Sequence, residues 1–230
     1  MGIRRGPNII QSGLVLSLDA GNIRSYPGSG TTWRDLSGKN SNGTLNNGTG
    51  YSSANKGTLI FDGGNDYVNL GTSSTFNQFS GDFTVSAWVN RSNTGGTWGN
   101  IIGDYYTNST ATTGEWQIMM SNGGAFNLYL VGPGYIVSPT SNFGANQWHN
   151  VVVTRTSSSI VMYVNSTSIA TATNSSTFGT SGGNVNIGID GNNSAEPFTG
   201  NISIVQIYNR GLSASEILQN YNMTKSRFGK

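Results

Sequence analysis

The 230-residue chain contains no cysteine, a single histidine and no long apolar run. Without cysteine it can form neither disulfides nor thiolate metal sites. Its apolar runs are far shorter than the roughly 18 residues that a membrane-spanning helix needs. Arg4 and Arg5 are not followed by the apolar stretch of a secretion signal. We therefore expect synthesis in a cytoplasm without a signal peptide, and no membrane partner.

Charge is also scarce. Charged residues make up 10% of the chain and the net charge is +2, whereas a soluble protein typically has about 25% charged residues. Binding to phosphates requires clustered lysine and arginine, so a nucleic-acid partner is excluded. Glycine, asparagine, serine and threonine together make up half of the chain. Because disorder driven by self-repulsion requires charge, we expect a folded protein whose polarity comes from neutral side chains.

The apolar residues are arranged as short runs between turn residues, the pattern of an all-β sandwich. We predict strands within residues 14–18, 58–61, 67–70, 83–89, 98–106, 115–120, 126–131, 151–155, 160–164, 185–189 and 201–208. Near the C-terminus, Ser213 and Glu216 have the spacing of a capping box and predict one short helix. The predicted organisation is an N-terminal arm (1–13), one domain (14–223) and a loose basic tail (224–230).

Five segments, in order along the chain, resemble laminin-G-like domains of the concanavalin A-like lectin-glucanase group. They are residues 61–68 (FDGGNDYV), 83–89 (FTVSAWV), 147–154 (QWHNVVVT), 163–165 (YVN) and 200–213 (GNISIVQIYNRGLS). The resemblance implies a jelly-roll sandwich of two antiparallel sheets, one of them concave. Trp88 and Trp148 are large enough to fill the gap of about 10 Å between two such sheets, and we expect them there.

Residues 7–22 and 33–38 are similar to laminin-G-like proteins of tailed bacteriophages, which are usually virion components. This resemblance implies a structural protein on the virion surface, either a capsid decoration protein or a part of a tail or fibre. Its partners would be other capsid or tail subunits. Scarce charge suits such contacts, since interface cores are depleted in charged residues. Weak binding of host-surface polysaccharide, strengthened by many copies, is compatible with this role.

Catalytic groups are not evident. Hydrolases with this fold carry paired carboxylates in an E-x-D-x-E strand, whereas Glu115, Glu196 and Glu216 each stand alone. His149, the single histidine, is interpreted as a structural residue at the start of a strand. We therefore predict that the protein is not an enzyme and has no catalytic residues, and rank a glycoside hydrolase third among the possible functions.

Several predicted loops combine aromatic rings with polar side chains, the mixture that suits sugar binding. The candidate glycan-binding residues are Trp98, Tyr105, Tyr106, Tyr135, Asp190, Asn192 and Asn193. Alternatively, Trp98 and Tyr106 belong to the core and the asparagines only form turns. If the loops do bind sugar, the chain is a dedicated carbohydrate-binding module or adhesin, the alternative to the virion structural protein.

Calcium is the one cofactor that the sequence suggests. Many relatives hold this ion with acidic residues near the first and last strands, and Asp19 and Asn22 could supply the first part. Ser203 stands where the family often has aspartate, which counts against the site. Asp62 and Asp66 are alternatives, although carboxylates that close a turn explain them equally well.

Overall fold

The protein was analysed as a computed structural model that describes residues 8–72, 79–92, 98–105, 114–121, 123–179, 183–191 and 195–230. The first eight strands are β1 (Leu14–Asp19), β2 (Thr32–Trp33), β3 (Gly43–Asn46), β4 (Gly50–Ser52), β5 (Thr58–Asp62), β6 (Tyr67–Thr72), β7 (Phe83–Arg91) and β8 (Gly99–Gly103). The last eight are β9 (Trp116–Met120), β10 (Phe126–Leu130), β11 (Gly134–Val137), β12 (Trp148–Thr156), β13 (Ser159–Val164), β14 (Thr167–Thr173), β15 (Asn184–Ile187) and β16 (Thr199–Tyr208).

The strands form two antiparallel sheets of eight strands each. Sheet A has the order β14-β13-β12-β7-β16-β5-β4, with β1 also paired to β16, and sheet B has the order β11-β10-β9-β8-β15-β6-β3-β2. The predicted all-β sandwich of two antiparallel sheets is thus confirmed. Strand β16 is central to sheet A, because it pairs with β7 on one side and with both β5 and β1 on the other.

The main core lies between the sheets and follows the alternation of each strand. In β7, Val85, Ala87 and Val89 face this core, and in β10 Phe126 and Leu128 do so. Alternate residues of one strand face opposite sides of a sheet. Sheet A therefore presents Trp88 on its outer face, and sheet B presents residues 127 and 129 on the outer face of sheet B.

The expected position of Trp88 and Trp148 between the sheets is wrong. Both side chains lie on the outer face of sheet A, in a second apolar cluster with Ile204, Tyr221 and Phe228. The Phe228 ring centroid is 4.1 Å from that of Trp88 and 4.7 Å from that of Trp148. Strand alternation explains this position, since Val89, the residue after Trp88, and Val151, three residues after Trp148, face the main core.

One α-helix, α1 (Ala214–Thr224), follows β16 and covers part of this outer face. Its predicted capping box is confirmed: Ser213 Oγ accepts from the Glu216 amide, and Glu216 Oε2 accepts from the Ser213 amide. The chain continues as a 3-10 helix (Lys225–Phe228) in which Phe228 is buried. The sequence predicts a loose tail here, whereas the structure packs this segment against sheet A.

In the described part of the chain, every helix is too short or too polar to cross a membrane.

Candidate functional site

Four aromatic side chains form a continuous row on the outward side of sheet B. Tyr129 projects outward from β10, and its ring centroid lies 5.1 Å from that of Tyr105 and 5.2 Å from that of Tyr135. Trp98 stacks on Tyr135 with centroids 5.7 Å apart and ring planes inclined by 25°. Tyr135 is 50% exposed, and the other three rings are partly exposed. We call Trp98, Tyr105, Tyr129 and Tyr135 the aromatic row.

The row unites three of the candidate glycan-binding residues from separate parts of the chain. Trp98 precedes β8, Tyr105 follows it, and Tyr135 belongs to β11. Tyr106, Asn192 and Asn193 lie outside the described residues. Tyr129 is a member that the sequence prediction missed, although the alternation within residues 126–131 contained the signal for an outward ring.

Asp190, the remaining candidate, is completely buried. Its Oδ1 accepts from the Ala195 amide at 3.0 Å, and its own amide donates to the Ala195 carbonyl at 3.2 Å. The Asp190 carbonyl also accepts from Nδ2 of Asn186 at 2.8 Å. These bonds fix the turn that leads to Glu196, and ligand binding by Asp190 stays a prediction.

Around Glu196 lies a set of buried acceptor oxygens. The Asn100 amide donates to the Glu196 carbonyl at 2.8 Å, and the side chain of Gln117 lies close enough to the Glu196 carboxyl group to oppose in part the rise that burial causes in its pKa. Asn100 Nδ2 donates to the Ile189 carbonyl, which fixes the orientation of that amide. Within the described chain, Asn100 Oδ1, Gln117 Oε1 and Glu196 Oε2 have no hydrogen-bond partner. We call these three atoms the acceptor cluster.

Two properties make the acceptor cluster a candidate functional feature. A buried acceptor without a donor costs about 1–3 kcal/mol, and such atoms in a native structure call for an explanation. In addition, Glu196 has a φ of 54°, a left-handed conformation that is unfavourable for a residue with a side chain and is enriched at ligand sites. Asn100, Gln117 and Glu196 come together only through tertiary contacts between distant parts of the chain. The sequence analysis therefore did not identify any of the three as a site residue.

The ionisation of the row is set mainly by burial. Burial raises the pKa of Tyr105 to about 12, with further contributions from Tyr129, Glu196 and Glu115. Burial and then Glu196 raise the pKa of Tyr135 in the same way. Both phenols therefore remain protonated at neutral pH and can donate hydrogen bonds. Burial also raises the pKa of Glu196, and the negative charge of Asp190 adds to that shift.

The acidic groups near the row do not form a catalytic pair at the surface. Hydrolysis of a glycosidic bond uses two carboxyl groups that both reach the substrate. Asp104, Glu115 and Asp190 are buried, and Glu196 is partly exposed. His149 is also buried and packs against the rings of Phe126 and Phe143. Among the acidic residues that the structure describes near the row, Glu196 is therefore the one that is partly exposed.

The proposed calcium residues take part in protein contacts. Asp19 Oδ1 accepts from Arg227 Nη1 at 2.5 Å and from the Gly21 amide at 2.9 Å, while Asn22 Oδ1 accepts from the Arg24 amide at 3.0 Å. The described residues contain no group of three or more histidine, aspartate or glutamate side chains that could hold a metal. A calcium ion at Asp19 would compete with the Arg227 guanidinium, and calcium binding stays a prediction.

The alternative pair, Asp62 and Asp66, closes a turn. Asp62 Oδ1 accepts from the Gly64 amide at 2.7 Å, and Asp66 Oδ2 accepts from the Asp62 amide at 3.0 Å. The role of both carboxylates in these bonds is to close the turn.

Comparisons with known proteins agree with this architecture. A laminin-G family model, described as the concanavalin A-like lectin/glucanases superfamily, matches residues 62–218. No curated protein sequence matches the chain. Similar solved structures include Trypanosoma rangeli sialidase in complex with sialic acid, at 16% identity and a TM-score of 0.73, over 98% of this chain and 35% of that one. The chain thus spans about a third of the length of the sialidases that it matches.

Two further structures are binding domains or parts of larger enzymes. Domain 4 of AbnA, an extracellular GH43 arabinanase from Geobacillus stearothermophilus, in complex with arabinotriose, matches at 15% identity and a TM-score of 0.66, over 91% of this chain and 98% of that one. The binding domain of Paraclostridial Mosquitocidal Protein 1 matches at 19% identity and a TM-score of 0.70, over 93% of this chain and 52% of that one. At these identities the likeness shows the fold alone.

Proposed function

The chain belongs to the concanavalin A-like lectin/glucanases superfamily, and on that premise we propose that it is a non-enzymatic carbohydrate-binding domain. The observation that carries this proposal is the aromatic row, which presents exposed and half-exposed rings next to polar groups. Tyrosine and tryptophan combine an apolar body with a polar tip. The rings can pack against the C–H face of a sugar while the tyrosine hydroxyls bond to its oxygen atoms.

The matched structures support a binding role. The arabinanase domain was solved with arabinotriose, and the mosquitocidal protein contributes a domain named for binding. In this chain, the acceptor cluster and the strained backbone at Glu196 lie beside the aromatic row. Glu196 is partly exposed there, and the buried amides of Asn100 and Gln117 support it from within a rigid sheet face, as expected of a ligand site.

Tyr135→Ala tests the proposal directly. Because Tyr135 is 50% exposed, we expect the variant to fold, with a melting temperature lowered by a few degrees through the loss of its contacts with Trp98 and Tyr129. It should bind glycans at least tenfold more weakly, about 1.4 kcal/mol. A glycan array followed by calorimetric titration of the best ligand measures this. Leu218→Ala, which truncates a 47% exposed residue on α1, is the control and should bind as the unmodified protein does.

Two results would count against the proposal. One is an absence of binding to every glycan on the array, and the other is equal binding by the unmodified protein and Tyr135→Ala. The non-enzymatic part is tested by incubating the protein with its best ligand. Release of new reducing ends would show that the chain is an enzyme.

The virion setting also remains a prediction, supported by the resemblance of residues 7–22 and 33–38 to bacteriophage proteins. In it, the domain decorates a capsid or belongs to a tail or fibre, binds neighbouring subunits and contacts host-surface polysaccharide. Quantitative mass spectrometry of purified particles tests this. A copy number near that of the major capsid protein, or a simple fraction of it, indicates a decoration protein. A few copies indicate the tail or fibres, and absence from the particles contradicts the prediction.

A further inference from the structure

An acidic residue adjoins the aromatic row. The Glu196 carbonyl accepts from the amide of Asn100 at 2.8 Å, and Asn100 lies two residues after Trp98. Burial raises the pKa of Tyr105 and Tyr135, and the negative charge of Glu196 adds to that rise. Glu196 is partly exposed and forms no salt bridge among the described residues. It is therefore the acidic group that a ligand on the row would meet.

Three arginines are engaged away from the row. Arg210 and Arg227 form salt bridges with Glu216 and Asp19, on the outer side of sheet A. Arg91 is buried on the core side and donates from Nη1 to the carbonyls of Met120 and Ser121. The segments 93–97, 106–113 and 192–194, which adjoin site residues in sequence, contain no lysine or arginine.

The acceptor cluster adds to the same polarity. Asn100 and Gln117 are completely or almost completely buried, so their side-chain oxygen atoms act on a ligand through their partial negative charge and not through direct contact. Together with Glu196 they give this face a negative potential. Such a potential opposes carboxylate and sulfate groups but does not oppose neutral sugar hydroxyls.

We propose that the site is selective for uncharged glycans and excludes polysaccharides that carry carboxylate or sulfate groups, with Glu196 as the residue that sets this specificity. The inference rests on the proposed glycan-binding function and names its ligand class. A sugar stacked on the row brings any anionic substituent close to Glu196. Solvent screens the repulsion between two neighbouring negative charges at a protein surface only in part. Repulsion between Glu196 and an anionic substituent therefore opposes binding of the ligand.

A glycan array that contains both neutral and acidic oligosaccharides tests the selectivity at pH 7.5. We expect neutral glycans to bind and their carboxylated or sulfated counterparts to bind at least tenfold more weakly. Dextran with dextran sulfate, and methyl-esterified with de-esterified homogalacturonan, provide pairs that differ mainly in charge. Equal or stronger binding of the anionic members would overturn the inference but leave the proposed function intact. No binding to any glycan would instead contradict the proposed function.

Glu196→Gln assigns the selectivity to one residue. Glutamine has nearly the same shape without the charge, so we expect the ratio of anionic to neutral glycan binding to increase at least tenfold. Higher salt should diminish the difference between the two proteins, because salt screens charge repulsion. Asp62→Asn, the control, removes one negative charge from an exposed turn and should change the binding of neither neutral nor anionic glycans. An unchanged neutral-to-anionic ratio in Glu196→Gln would overturn the role of this residue.

Discussion

At the residue scale, two side chains couple stability to pH in different windows. Burial, reinforced by the positive charge of Lys230, lowers the pKa of His149 from 6.5 to about 4. The unfolded chain therefore binds a proton before the folded chain does as the pH falls. Stability should decrease between about pH 6.5 and 4, by up to about 3 kcal/mol.

Glu216 acts at lower pH. Hydrogen bonds from Arg210, at 2.6 and 2.9 Å, lower the pKa of Glu216 from 4.5 to about 2. Its contribution is present above pH 4.5 and is lost as the pH falls towards 2. Because the pair is partly exposed, this contribution is small, about 1 kcal/mol.

Urea unfolding measured from pH 8 to 3 separates the two windows. His149→Gln should flatten the dependence of the free energy of unfolding between pH 6.5 and 4, and Glu216→Gln should flatten it between pH 4.5 and 3. The raised pKa of Glu196 acts in the opposite direction, since stability then decreases as the pH rises above about 4.5. That contribution is common to the two variants and cancels in their comparison. Identical pH profiles for the variants and the unmodified protein would contradict the assignment.

At the element scale, the sequence predicts the interior strands and misses the edges. The predicted runs at 83–89, 151–155 and 160–164 correspond to β7, β12 and β13 in the middle of sheet A. The missed strands are β2, β3, β4, β11 and β14, which include both edges of each sheet. An edge strand has one partner, is often short and buries less apolar surface. Strand β14 (TSIATAT) has no buried residue and therefore lacks a strong hydrophobic pattern.

In the C-terminal elements, too, the sequence predicts the contacts between nearby residues but not those between distant ones. The capping box of α1 involves residues three apart, so the sequence contains it in full. The packing of the following segment depends on distant partners. Arg227 donates to Asp19, to Ser203 Oγ and to the Gly57 carbonyl, and Phe228 packs against Trp88. No local pattern predicts these contacts.

The candidate site was predictable to a similar degree. Trp98, Tyr105 and Tyr135 were identified because aromatic residues in polar loops are conspicuous in a sequence. Asn100 and Gln117 could not be identified in this way, because a buried amide in a strand resembles any other polar residue until the strand register is known. Glu196 becomes significant only through its contacts with these two amides.

At the scale of the whole molecule, the N-terminal third belongs to the same folding unit as the rest. The family model matches residues 62–218, yet β1 pairs with β16 in sheet A, and β3 pairs with β6 in sheet B. Leu16, Leu18 and Trp33 are completely buried in the main core. Both sheets therefore depend on residues outside the matched region.

We expect a fragment of residues 62–218 to be unfolded or aggregated. Burial of a large apolar side chain contributes about 1.5–3 kcal/mol, so removing Leu16, Leu18 and Trp33 costs an amount comparable to the 5–15 kcal/mol stability of a typical domain. Far-UV circular dichroism and thermal unfolding of the fragment and the full chain measure this. The control fragment 8–230 retains Ile10, whose amide donates to Asn220 Oδ1 at 2.8 Å, and should unfold in one transition near that of the full chain. A cooperative transition in the 62–218 fragment would show instead that the matched region folds on its own and that the N-terminal strands are an addition to it.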